Sequence, residues 1–308
     1  MKIIMQEGKS PNELSCAVCD VSIVGEVVDD RGRAAIEFLR NNSKHVFTMK
    51  YDPDQFEVNV DGQVYNAEEI DLFLGPFEGG TIALKASTLG FVEIFLCSRV
   101  IQTFSLPKIK ILYVEPLRYL NPRRTQLLHK RDFELSELIP GYRAIPGATF
   151  RLNDREPQRG VFFLGYEERR LDRALEDYQM IRPDRCCVVF GVPAFTPGWE
   201  MDAFANNIRV IRDKNIRGGV HFCGAENPAA TIDLLQMIYE SLDTAERERM
   251  FVAPIGTKPN GIGAALFAAT HNDIGILYDH PRRRHDRSAE TARWHLYQVD
   301  FKGSYSSA

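Results

Sequence analysis

The stretch Phe251-Val252-Ala253-Pro254-Ile255-Gly256-Thr257-Lys258-Pro259-Asn260-Gly261-Ile262-Gly263-Ala264-Ala265-Leu266-Phe267-Ala268-Ala269 decides the fold. A short unbroken apolar run bounded by glycine reads as a strand covered on both faces, here 250–255. The small residues that follow predict a short helix, 262–271, able to press closely on a sheet. A strand passing through a glycine-rich turn into a helix is half of a βαβ unit, and such units make parallel sheets.

The same rhythm extends in both directions. Upstream, 160–165, 186–193 and 219–224 read as strands, separated by helices over 167–178 and 201–214. Asn227-Pro228 then supplies an N-cap and a proline at the first helical position for a helix running to about 247. Downstream, 273–279 and 295–301 read as strands. The first half alternates similarly, with strands at 15–25, 45–51, 81–86 and 110–114 and helices at 29–41 and 88–104. Asp61-Gly62 between two alternating runs predicts a hairpin. Ser87 or Thr88 reads as the cap of the 88–104 helix. That helix is apolar around much of its girth, so either its own core or a second copy covers it; a homodimer is one expectation. The fold class is α/β, with two Rossmann-like parallel-sheet halves and helices on both faces. The expected division is 1–117, a connector 118–159 and 160–308. The connector, rich in proline and arginine, is expected to hold one short helix near 133–138 and a solvated charged face.

Bulk properties limit the function classes. The chain has 308 residues, 44% hydrophobic and 26% charged, with a formal net charge of −4. A large core is available, and a chain built mainly to coat nucleic acid is disfavoured. No apolar run approaches the roughly 20 residues that span a bilayer, and the polar N-terminus lacks a secretory core, so a cytoplasmic location without membrane contact is expected. Of the 6 cysteines, Cys16 and Cys19 form a C-x-x-C. Without a second such pair or a histidine pair at finger-like spacing, they read as structural thiols.

Ligands of open parallel sheets bind beyond the carboxyl ends of the strands, where helix N-termini point. In the second half that rule selects the turns after Gly165, Gly191, Cys223 and Gly256. In the last, Gly256 and Gly261 permit close backbone approach, Thr257 offers a hydroxyl, Lys258 a charge and Asn260 an amide. The order of a P-loop is absent, as is a G-x-G-x-x-G after a strand. Glu167 and Arg169, opening the first helix of this half, suit a ribose and a phosphate, with Arg170 on a polar helix face. Arg282, Arg283 and Arg284 follow a strand end as an unanchored basic loop. Glu167 and His280 are the candidate acid/base groups, with His285 behind them. No metal site and no cofactor are predicted beyond a nucleotide-like ligand.

The segments Val161-Phe-Phe-Leu-Gly165, Phe251-Val-Ala-Pro-Ile-Gly256-Thr257-Lys258 and Gly263-Ala-Ala-Leu-Phe-Ala268 make residues 160–301 resemble the CRISPR-associated Rossmann fold (CARF) domains. The resemblance implies a cyclic oligonucleotide bound between two protomers, switching an effector. The leading expectation is therefore a nucleotide-responsive sensor of a prokaryotic antiviral or stress system, acting as a homodimer. The alternatives are an enzyme acting on a nucleotide or phosphorylated sugar, and a scaffold subunit with a protein partner in a defence complex.

Overall fold

The computed structural model describes residues 1–120, 122–124, 131–148 and 159–303. The protein is α/β. Two compact units share the chain, Met1–Leu120 with His285–Ala308 in one and Asn121–Arg284 in the other.

In the first unit, strands β1 (Lys2–Gly8), β2 (Cys19–Val24), β3 (Ser43–Asp52), β4 (Glu57–Val60), β5 (Gln63–Asn66), β6 (Ile82–Lys85) and β7 (Lys108–Tyr119) are joined by the C-terminal strand Ser288–Asp300. The sheet runs β1, C-terminal strand, β7, β6, β2, β3, β4, β5. The four central strands β7, β6, β2 and β3 are mutually parallel, and the edges are antiparallel. Helix α1 (Asp30–Asn41), capped by Asp29, packs Ala35 and Leu39 on Val24, Ala83, Leu112 and Leu296. Alternation along the strands turns Ile23, Leu84 and Ile111 to the other face. There α3 (Phe91–Ile101), which follows the short α2 (Asp71–Leu74), sets Cys97 against Met49. The Asp61-Gly62 turn has positive φ at both residues, as the hairpin requires.

The structure departs from three expectations. The apolar girth of α3 is buried by the chain itself, Phe95, Leu96 and Ile101 fully so, and this removes the helix as an argument for a dimer. Its N-cap is Gly90. Thr88 instead accepts the Gly25 amide at 2.9 Å and Ser87 the Val114 amide at 2.9 Å, so both hydroxyls tie strand ends together. The C-terminal strand belongs to this first sheet and not to the second half. No crossover helix precedes it, so it pairs antiparallel with β1 and β7, burying Trp294, Leu296, Tyr297 and Val299. Strand β1 was not legible: Ile4 and Met5 are exposed on an edge strand, and Ile3 is its one buried hydrophobic side chain.

In the second unit, β8 (Pro122–Arg124) and β9 (Arg131–Phe133) form a small hairpin, and β10 (Ser136–Leu138) pairs with β16 (Arg282–Arg283). The expected helix at 133–138 is thus replaced by strand. Residues 125–130 and 149–158 of the connector, with Lys130 and Pro157, lie outside the described residues. The main sheet is wholly parallel and holds β11 (Arg159–Leu164), β12 (Cys186–Gly191), β13 (Val220–Cys223), β14 (Met250–Pro254) and β15 (Gly275–Ile276). Its order is β13, β12, β11, β14, β15. The chain winds outward from β11 to β13, then returns to the other side of β11 to form β14. Right-handed crossovers then place the first two helices on one face and the later ones on the other. Accordingly α4 (Glu168–Asp177) and α5 (Trp199–Asp213) cover Phe162, Leu164, Val188 and Phe190. Helices α6 (Pro228–Glu240) and α8 (Lys258–Thr270), with the one-turn α7 (Thr244–Arg247) between them, pack against each other. A Cβ on Gly263 would lie 2.6 Å from the Pro228 carbonyl oxygen, so only glycine permits that approach.

Candidate functional site

The reversal of strand order puts the carboxyl ends of β11 and β14 side by side, and this is the crevice where doubly wound sheets take ligands. Gly165 ends one strand and Gly256 follows the other. A Cβ on Gly256 would stand 3.1 Å from the Leu164 carbonyl oxygen, and one on Gly165 3.6 Å from the Gly256 Cα, so the two turns lie backbone against backbone. Thr257 caps α8, its hydroxyl accepting the Asn260 amide at 3.3 Å, and Lys258 is the first helical residue. Gly165, Gly256, Thr257 and Lys258 are half-exposed at the mouth.

Helix α8 begins four residues earlier than its sequence suggests. Pro259 is tolerated because the first turn needs no amide donor there. Gly261 therefore lies inside the helix, buried, its amide on the Thr257 carbonyl at 3.0 Å. Asn260 is 1% exposed, and its amide nitrogen donates to Thr231 Oγ1 at 3.0 Å and the Gly224 carbonyl at 3.2 Å. Both residues build the turn and are withdrawn as ligand contacts.

The loop after β11 is held from below. Asn207 donates to the Gly165 carbonyl at 2.7 Å and Asn206 to the Tyr166 carbonyl at 3.0 Å. These two fully buried asparagines, with Tyr166 and Trp199, escaped the sequence reading. The available signal was a polar pair interrupting the buried side of α5. The Tyr166 ring sits 4.8 Å from Phe133 and 6.5 Å from Trp199, giving the crevice a half-exposed aromatic wall.

Other expected contacts fall elsewhere. Glu167 accepts the Leu135 and Ser136 amides at 3.1 and 2.9 Å and the Ser136 hydroxyl at 2.9 Å, so it anchors the 135–136 backbone. Arg169 is exposed. Arg170 is buried, not solvated: it grips Asp279 through two hydrogen bonds of 2.7 and 2.6 Å and donates to the Ile255 carbonyl at 3.1 Å. It thereby fixes the end of β14 from beneath. The basic run is anchored as well, since Arg282 and Arg283 pair with β10 and the Arg284 amide bonds the Leu135 carbonyl. Arg284 also meets Glu134 at 3.2 Å. His280 has its Nε2 3.4 Å from the Arg143 carbonyl, and burial lowers its pKa below the ordinary imidazole value. His285 is exposed.

The first unit has its own switch point, between β2 and β6, and its own side chains fill it. A Cβ on Gly25 would lie 2.5 Å from the Thr88 carbonyl oxygen. Around it Asp29 pairs with Arg31 at 2.5 Å and accepts Ser288 at 2.8 Å, and the Lys85 ammonium donates to the Gly32 carbonyl at 2.6 Å. Burial alone would raise the Asp29 pKa, but the Arg31 guanidinium overcomes it and holds the carboxyl low. Between β7 and the C-terminal strand, Glu115 and His295, both buried, meet at 2.6 Å. Such a cluster, buried and mutually bonded, is a structural plug.

Among the described residues no group of three metal-ligating side chains occurs, and no helix is long and apolar enough to cross a membrane. No protein-family model matches the chain, and no curated protein is similar enough to count as a relative.

Proposed function

We propose that the protein is a nucleotide-responsive sensor whose phosphate-bearing ligand lies over the switch point of the second unit. The observation that carries this reading is the juxtaposition of the Gly165 and Gly256 turns with Lys258 at the start of a 13-residue helix. The glycines let the two turns pack side by side, the helix end adds a positive dipole, and lysine adds a point charge. The wall of Tyr166 and Trp199 suits the face of a base. The corresponding crevice of the first unit is plugged, so the second unit is the better receptor. A cyclic oligonucleotide ligand, and a place in antiviral or stress signalling, rest on the resemblance to CARF domains. With Glu167 occupied by the 135–136 backbone, binding is favoured over catalysis.

Calorimetric titration of the full chain with ATP and with cyclic oligoadenylates, alongside Lys258→Ala, tests the proposal. One of these probes binds the wild type unchanged by turnover, and the variant loses about 10- to 100-fold in affinity, the loss expected for a charged hydrogen bond. Equal affinities for both proteins would remove the role given to this turn.

A further inference from the structure

We propose that Cys16 and Cys19 are a reversible dithiol–disulfide couple, with Cys16 the attacking thiol and Cys19 the resolving one. Their geometry goes beyond the bare C-x-x-C. The Cys16 and Cys19 sulfurs lie 3.7 and 3.6 Å from the same Ala17 carbonyl oxygen, which gathers both onto one point. The Lys110 ammonium donates to that oxygen at 3.1 Å and stands 4.0 Å from the Cys19 sulfur. Cys19 is fixed as the first residue of β2, its amide on the Asn42 carbonyl at 2.9 Å. Residues 15–18 carry no ladder, so the segment bearing Cys16 can move toward Cys19 without breaking the sheet. Cys16 is half-buried while the other five cysteines are buried.

The electrostatics divide the roles the same way. The neighbouring Cys19 thiol lowers the Cys16 pKa to about 6 against the opposing effect of burial, with Lys110 assisting. Cys19 is raised, by its interaction with Cys16 first and by burial second. Burial, the largest cause in each, raises Cys186 to about 12, with Cys187 and Asp184 adding to it, and Cys187 to about 11, which makes them inert references in the same molecule. The reaction needs a low-molecular-weight disulfide such as oxidised glutathione. The Cys16 thiolate attacks one of its sulfurs and expels one thiolate, leaving a mixed disulfide. Cys19, giving its proton to solvent, then attacks the Cys16 sulfur and expels the second. The protein pair is oxidised by two electrons and the small disulfide is reduced to two thiols. The inference is independent of the nucleotide proposal.

The full chain is equilibrated in glutathione redox buffers, quenched by alkylation, and its peptides are mass-mapped. The expected result is loss of two thiols as a linked Cys16–Cys19 peptide, restored by excess reduced glutathione. Cys19→Ser should stop at a Cys16–glutathione adduct, and Cys16→Ser should remain unmodified. In the reduced wild type Cys16 should alkylate at pH 7 at least about tenfold faster than Cys186 or Cys187. A stable Cys16 adduct in the wild type, no oxidation before unfolding, or equal alkylation rates would overturn the proposal. So would zinc, added alone, binding the pair and blocking its oxidation.

Discussion

Arg170 shows how far one position decides the role of a side chain. Arg169 and Arg170 are indistinguishable as residue types, and both suit a polar helix face. A 100° step along α4 leaves the first exposed and drives the second against Asp279, 109 residues away. No local pattern encodes that partner, so this ion pair was illegible in the sequence, whereas the strand ends at Gly165 and Gly256 were legible because turn chemistry is local. Removing one member of a buried pair leaves the other charge uncompensated. Arg170→Ala should therefore cost about 3–5 kcal/mol of stability, and Arg170→Met combined with Asp279→Leu should recover most of it. Chemical denaturation of the two variants measures this. A double variant as weak as the single one would show that the pair contributes more than mutual neutralisation.

At the level of elements, the strands and helices of the second unit could be read almost throughout, because parallel strands buried on both faces leave continuous apolar runs. The errors fall at their ends. Pro259 and Gly261 look like helix breakers, yet one sits in the first turn, where a missing amide costs nothing, and the other lies buried in that turn. Residues 133–138 lack an apolar period, and their strand pairing with Arg282–Arg283 is again long-range. The run of small residues in α8 predicts close packing on the sheet, whereas the tightest approach, at Gly263, is to α6. Gly263→Ala would place a methyl 2.6 Å from the Pro228 carbonyl and from Thr231 Cβ, both in α6. Overpacking of this kind typically costs about 1–3 kcal/mol. Thermal unfolding should show that loss in Gly263→Ala; an unchanged melting temperature would mean that α6 and α8 can slide apart freely.

At the level of the whole molecule, the second unit is inserted into the first. The chain leaves the first unit at Leu120 and re-enters it at His285, and the Leu120 amide bonds the Arg287 carbonyl at 2.9 Å, so exit and return are adjacent. This was invisible in the sequence because the last strand resembles any other apolar strand, and only its partners reveal its allegiance. Residues 121–284 expressed alone should fold cooperatively by circular dichroism and calorimetry, and joining Leu120 to His285 through a short glycine-serine linker should leave the first unit folded. Failure of both fragments would mean that the units stabilise one another.

A nucleotide bound as proposed lies over the β11–β14 crevice and not over the plugged crevice of the first unit. Hydrogen exchange across the full chain, with and without the tightest-binding nucleotide of the titration, tests it most directly. New protection is expected in the amides of 164–168 and 255–260, with 25–32 and 85–90 unchanged. Protection at 25–32 and 85–90 without any at 164–168 or 255–260 would contradict it.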